Sequence, residues 1–210
     1  MVLYFNGFFL SDERKGFMSD KRKIIIITDG DEYAKRSVEI VAKDIGGRCL
    51  SISHGNPTNM SGKNIVEQIK KVAYDPVLVM VDDSGFVGEG EGEKAMKYIT
   101  QHPDIEVLGI IAVASKTKQR EWTKVDVCVD RDGLLTEYGV DKNGVREMEV
   151  GRINGDTVYN IDSLNVPIVV GRGDIGKMAL RDHYSRGSPI TRLAVEVILE
   201  RSDYYGKPKK

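Results

Sequence analysis

Four aspartates carry the strongest hint of chemistry in this sequence. The apolar run KIIIIT, Lys23–Thr28, ends in Asp29-Gly30-Asp31, and a second run, PVLVMV at Pro76–Val81, ends in Asp82-Asp83-Ser84-Gly85. Glu89, Glu91 and Glu93 follow in a Gly-Glu repeat. Carboxylates pressed together repel one another unless a cation or protons neutralise them. An all-oxygen set suits a hard ion, so Asp29, Asp31, Asp82 and Asp83 form a candidate ligand edge for Ca²⁺ or Mg²⁺. A second reading uses the same residues without a ligand. Asp after a strand commonly caps the next helix, and acids favour a helix start. The residues alone leave both readings open.

Other candidates are weaker. His54 follows the second strand in His-Gly-Asn-Pro-Thr-Asn, and Ser115 follows the fourth, so both join the candidate ligand edge. Response-regulator receiver domains offer an analogy in which Asp82 would accept a phosphoryl group, but Arg172 stands where a Lys is usual. Toprim domains need a Glu where Asp29 stands and an Asp-x-Asp where Asp82-Asp83 stands. Gly171-Arg-Gly173-Asp-Ile-Gly176 fits G-x-G-x-x-G, yet the acid about 20 residues on that a dinucleotide site needs would fall inside the last helix. A tight strand-to-helix turn is the plainer expectation, with anion binding at Gly171, Gly173 and Gly176 as the alternative. Lys116, Lys118 and Arg120 form a small basic run. His54, His102 and His183 have no metal spacing, and Cys49 and Cys128 read as separate buried thiols.

Positioning these residues requires alternating strands and helices. The spacing predicts strands at Lys23–Thr28, Arg48–Ser53, Pro76–Val81, Glu106–Ala114 and Pro167–Gly171. It predicts helices at Glu32–Ile45, Gly62–Ala73, about Glu91–Gln101, near Ile175–Asp182, and Ile190–Arg201. That rhythm implies an α/β fold with a doubly wound, mainly parallel sheet, Rossmann-like or flavodoxin-like. In the flavodoxin-like strand order 2-1-3-4-5 the first and third strands are neighbours, which would bring the four aspartates to one edge. Residues 125–162 read as a β-rich excursion with hairpin turns at Asp132-Gly133, Asn143-Gly144 and Asn154-Gly155.

The chain has 31 Lys and Arg against 32 Asp and Glu, a net charge of −1, so no global basic field draws nucleic acid or an anionic surface. No apolar run approaches the ~18 residues of a membrane span, and the amino-terminal MVLYFNGFFL lacks the form of a signal peptide. The expectation is one soluble domain over residues 18–205, with residues 1–17 an upstream extension or arm and 206–210 a flexible tail. Codons for Glu13-Arg14-Lys15-Gly16 can be written as a purine run resembling a ribosome-binding site before Met18, where translation is expected to start.

Several segments together resemble a known family. They are Lys23–Asp31, Ala42–Thr58, Pro76–Gly92, Val113–Gly133, Val140–Gly144, Gly155–Leu164, Pro167–Gly176 and Arg186–Leu199. The likeness is to the stage V sporulation protein AE family, specifically its soluble member, from Met18 to about Glu200. The resemblance implies a place in the apparatus that moves calcium dipicolinate into the developing spore and releases it on germination. It implies a forespore or spore location peripheral to the inner spore membrane, and partners among the membrane-embedded and soluble products of the same operon. It carries no catalytic residue. The leading expectation is therefore a non-catalytic accessory protein, a homo-oligomer being left open, with Ca²⁺ or calcium dipicolinate at the four aspartates. The alternative is a metal-dependent phosphoryl-transfer or nuclease-like enzyme at the same edge.

Overall fold

The computed structural model describes residues 21–86, 88–116 and 122–205. The expected amino-terminal arm, the Met18 start, Lys118, Arg120 and the tail lie outside the described residues. Among these the elements run β1 (Arg22–Ile27), α1 (Glu32–Asp44), β2 (Arg48–Cys49), α2 (Gly62–Lys71), β3 (Val77–Met80), α3 (Glu91–Thr100) and β4 (Ile105–Val113). There follow β5 (Trp122–Lys124), β6 (Val127–Val129), β7 (Leu135–Thr136), β8 (Tyr138–Val140), β9 (Arg146–Val150), β10 (Arg152–Asn154), β11 (Val169–Arg172) and α4 (Pro189–Arg201).

The fold is mixed α/β. A seven-stranded sheet has the order β2-β3-β1-β4-β11-β6-β7, and two small antiparallel pairs, β10-β5 and β8-β9, flank it. Every pairing in the large sheet is parallel except β6 with β7. The isoleucines of β1 explain its central place. Ile24 and Ile26 pack into one apolar cluster with α2 and α3, while Ile25 and Ile27 pack into the other with α1 and α4. A β-branched run with no polar alternation suits a strand covered on both faces. Each such isoleucine contributes about 1.5–3 kcal/mol by leaving water.

Four expectations need correction. First, the strand order is not 2-1-3-4-5. β1 and β3 exchange places, so β1 lies between β3 and β4 and β2 is an edge strand. The adjacency of β1 and β3 survives the exchange. Second, β2 is only two residues long, because Ser51–Ser53 tightens into a 3₁₀ turn in which the Ser53 hydroxyl bonds Leu50 O. Third, no helix forms near Ile175–Asp182. That segment is a chain of turns, and Met178, Ala179 and Leu180 all hold left-handed φ values. In the β-rich excursion, Asp132-Gly133 and Asn143-Gly144 do close the β6–β7 and β8–β9 hairpins. Fourth, Asn154-Gly155 closes no hairpin, since β10 pairs back to β5.

A buried ion pair replaces the missing helix. The side chains of Arg172, at the end of β11, and Asp182 are both 0% exposed and lie 2.6 Å apart. Asp182 Oδ1 accepts from Ile190 N and Thr191 N, and Oδ2 accepts from Gly176 N and the Thr191 hydroxyl. It thereby caps α4, whose own N-cap residue Ser188 makes no side-chain cap bond. Arg172 also donates to Gly173 O and Thr191 Oγ1. Burial alone would raise the Asp182 carboxyl, but the Arg172 charge and these donors hold it below the usual carboxylate range.

Removing one partner of such a pair strands a charge in the core. Arg172→Met is expected to lower the unfolding free energy in urea by about 3–5 kcal/mol. A loss under about 1 kcal/mol would show that the pair is not holding the β11–α4 connection.

Candidate functional site

The acidic residues meet at the carboxyl ends of β1 and β3. Gly30 makes the meeting close. Its N–H donates to Asp82 Oδ2 at 3.0 Å, and a Cβ there would sit 2.3 Å from Gly55 O. Only glycine lets the β1 loop pack this closely on Gly55, in the loop after β2, and on Asp82. Asp82 Oδ1 accepts from Ser84 N at 2.7 Å, while the Asp82 backbone exchanges hydrogen bonds with Thr58. Asp29 Oδ1 accepts from Asp31 N and Oδ2 from Ile175 N, both at 3.3 Å. Asp31 caps α1 through Ala34 N at 2.8 Å.

The neutralising cation at this edge belongs to the chain. Lys177 Nζ lies 2.6 Å from Asp31 Oδ2 and 3.4 Å from Asp174 Oδ2. Burial pulls the Lys177 ammonium down. The hydrogen bond to Asp31 and the charges of Asp174, Asp31 and Asp29 outweigh burial and hold it above its ordinary value. Asp29 is neutralised differently. Burial first, then the charges of Asp31 and Asp82, push its carboxyl up to about 8, against the pull of Lys177. Burial likewise pushes Asp82 up to about 6, with Asp156 adding to it against the bonds from Ser84 and Gly30.

Asp83 serves a different element. Its Oδ1 accepts from Gly92 N at 2.6 Å and its Oδ2 from Glu93 N at 3.2 Å, so it caps α3. Glu93 reaches on to the excursion, where Oε1 accepts from Asn160 N at 3.2 Å. Its Oε2 is buried without a hydrogen bond, and burial pushes the carboxyl up to about 7. Of the four predicted aspartates, the structure therefore gathers Asp29, Asp31 and Asp82 around Gly30 and commits Asp83 to the start of α3.

The remaining predicted residues have other partners. His54 Nδ1 lies 2.7 Å from Ser51 O, and its Nε2 lies 3.8 Å from Glu32 Oε2. Ser115 Oγ donates to Asp156 Oδ1 and accepts from Asp156 N, both at 2.9 Å. Lys116 is described, but the rest of the basic run is not. The glycine motif is a packing device. A Cβ on Gly171 would meet Cys128 Sγ at 2.5 Å, and one on Gly173 would meet Gly144 N at 2.6 Å. With no helix after Gly176, the anticipated helix N-terminus for an anion is absent there. Arg172 turns to Asp182 and away from any receiver-like role. Cys49 and Cys128 are free and buried, and burial pushes both thiols up to about 12.

Sequence reasoning missed Lys177, Asp174, Asp156 and Asp182. Asp156 had one visible signal, its place after the Asn154-Gly155 turn. Lys177 and Asp182 had none, because the segment carrying them read as a helix.

As to ions, both oxygens of Asp29, Asp31, Asp82 and Asp83 already accept from N–H groups or Lys177. Among the described residues no group of three or more His, Cys, Asp and Glu is arranged to hold a metal ion. The arrangement is chemically a set of caps across elements, with one tethered ammonium and one carboxyl held protonated near neutrality. Ca²⁺ or Mg²⁺ does not fit it as it stands.

The family whose model matches the sequence is described as Stage V sporulation protein AE1, over residues 23–202. No curated protein and no solved structure matches the chain. Among the described residues no helix is long and apolar enough to cross a membrane.

The sign of the pH dependence follows from Asp29. Its folded carboxyl sits above the ordinary value near 4, so the folded chain holds a proton that the unfolded chain releases. Stability should rise as pH falls from about 8 toward about 5, with Asp82 and Glu93 pushing the same way. Asp182, held low, contributes stability that is lost only as pH falls below about 4. The urea midpoint at about pH 6 should exceed that at about pH 8.5, and Asp29→Asn should raise the midpoint at the higher pH and narrow the gap. Equal midpoints in both proteins would contradict the buried, protonated Asp29.

Proposed function

The chain belongs to the stage V sporulation protein AE1 family, and from that premise we propose that it is a non-catalytic accessory protein of calcium dipicolinate uptake and release. On this reading it works in the forespore and spore, beside the inner spore membrane. Its partners there are membrane-embedded and soluble products of the same operon.

One observation supports the non-catalytic part most directly. The acids of the sheet edge are bonded to backbone N–H groups of other elements, and the nearby hydroxyl and imidazole are bound elsewhere. Ser115 is held by Asp156 and His54 by Ser51. An enzyme needs a base or nucleophile within reach of the reacting atom. The phosphoryl-transfer reading would require Asp29 to be ionised near neutrality, where burial favours the proton.

Ion binding at the edge remains distinct from this reading. An entering ion would have to displace Lys177 from Asp31 and Asp174 and the proton from Asp29. Calorimetry with Ca²⁺, Mg²⁺ and calcium dipicolinate should therefore give no heat from the metal ions alone. A metal heat that disappears in the Asp29→Asn/Asp82→Asn double variant would establish an ion site instead.

The function itself is tested in spores. An in-frame deletion should lower spore dipicolinate content or slow its release on germination, and the wild-type copy should restore both. Unchanged content and unchanged release would overturn the proposal.

A further inference from the structure

The acidic edge is not the chain's most unusual charged feature. The loop between β6 and β7 and the turns before α4 enclose an open pocket of about 600 Å³ lined by Arg131, Arg181 and Arg186, with Asp132 as the one carboxylate in the lining. Asp132 pairs with Arg181. The Arg186 guanidinium donates to Leu180 O and, among the described residues, has no carboxylate partner. Among the described residues the Arg131 guanidinium has no carboxylate partner. Three arginines thus line one pocket that has a single carboxylate in its lining.

The same two loops place apolar side chains in solvent. Leu134 is 56% exposed and Leu180 is 65% exposed. Leu180 ends a run of three left-handed residues, with φ of 51° at Met178, 52° at Ala179 and 67° at Leu180. Non-glycine residues resist that conformation, and three in succession need a compensating cause. Met178 explains its own share, since it is buried against the core. The turn holds the Leu180 backbone, whose carbonyl accepts from His183 N and the Arg186 guanidinium, while the Leu180 side chain stays in solvent beside Arg181. Exposed leucines among arginines that outnumber the neighbouring carboxylate match a surface that is apolar beneath an anionic layer.

We propose that this face docks on an anionic lipid surface, with Arg131, Arg181 and Arg186 on lipid phosphates and Leu134 and Leu180 in the acyl boundary. The leucines favour lipid over a free oxyanion, which would gain nothing from them. The proposal deepens the reading above by naming a membrane-facing side. It can fail separately, because it is tested without spores or partner proteins.

The test is flotation of the full chain with vesicles of phosphatidylcholine alone or mixed with phosphatidylglycerol. The chain should float with the mixed vesicles only, and added salt should weaken that binding. Arg131→Gln and Arg186→Gln should each weaken it about fivefold. Leu180→Ser should weaken it as well. Lys63→Gln, at an exposed position of α2, should leave it unchanged, and circular dichroism should show every variant folded. No flotation with anionic vesicles would overturn the proposal. So would binding that ignores Arg131 and Arg186, or that falls equally in Lys63→Gln. Calorimetric binding of inorganic phosphate without vesicle binding would assign the pocket to a free oxyanion instead.

Discussion

Carboxylates that reach across to the backbone of another element hold this molecule together at the functional end of its sheet. Asp182 is the strictest case. It closes the start of α4, fixes the turn at Gly176 and pairs with Arg172, all without contact with water. A buried pair of this kind adds little net stability over apolar packing, but losing one partner is costly, so it specifies one connection among many. Because β11 and α4 meet only in the geometry that Asp182 permits, the turns between them are fixed too. Those turns carry Asp174 and Lys177 to the acidic edge and Leu180 and Arg181 to the opposite pocket.

The acidic edge follows the same logic with a different outcome. Asp83 caps α3, Asp31 caps α1, and Asp82 ties the end of β3 to Gly30. Repulsion among these groups is relieved from within, by Lys177 and by a proton on Asp29. A site that supplies its own cation and proton has little need of a metal, and its pH response becomes part of its stability. Glu93 extends the pattern into the excursion, where one carboxyl oxygen holds Asn160 and the other stays buried and unbonded. Burial first, then the charges of Asp83 and Glu89, raise its carboxyl against the hydrogen bond from Asn160.

Some of this was legible in the residues. Four consecutive isoleucines announce a strand covered on both faces, and Ser61, Asp31 and the Pro189 start mark helices where they occur. The adjacency of β1 and β3 is expected from the flavodoxin-like strand order and is present. Their order is not legible, because a two-residue β2 carries too little pattern to reveal on which side it lies. The segment 175–182 has helical apolar spacing, yet Asp182 is drawn back to Gly176 N and Arg172, and Met178, Ala179 and Leu180 turn left-handed, so these tertiary bonds outweigh local propensity. Capping and ion binding could not be separated from spacing alone. They separate only when each carboxylate oxygen is matched to a donor, and the decisive donors, Ile175 N and Lys177, lie far along the chain.

The claim that joins these parts is that the edge is neutralised internally, with Asp29 protonated near neutral pH beside Lys177. Its most direct test is a carbon-detected NMR titration of the side-chain carboxyls in the wild-type chain. Asp29 should titrate with a midpoint of about 8, well above the other carboxyls, and Asp82 near about 6. An Asp29 midpoint in the ordinary range near 4, with the carboxylate ionised at neutral pH, would contradict the account and return the four aspartates to the ion-binding reading.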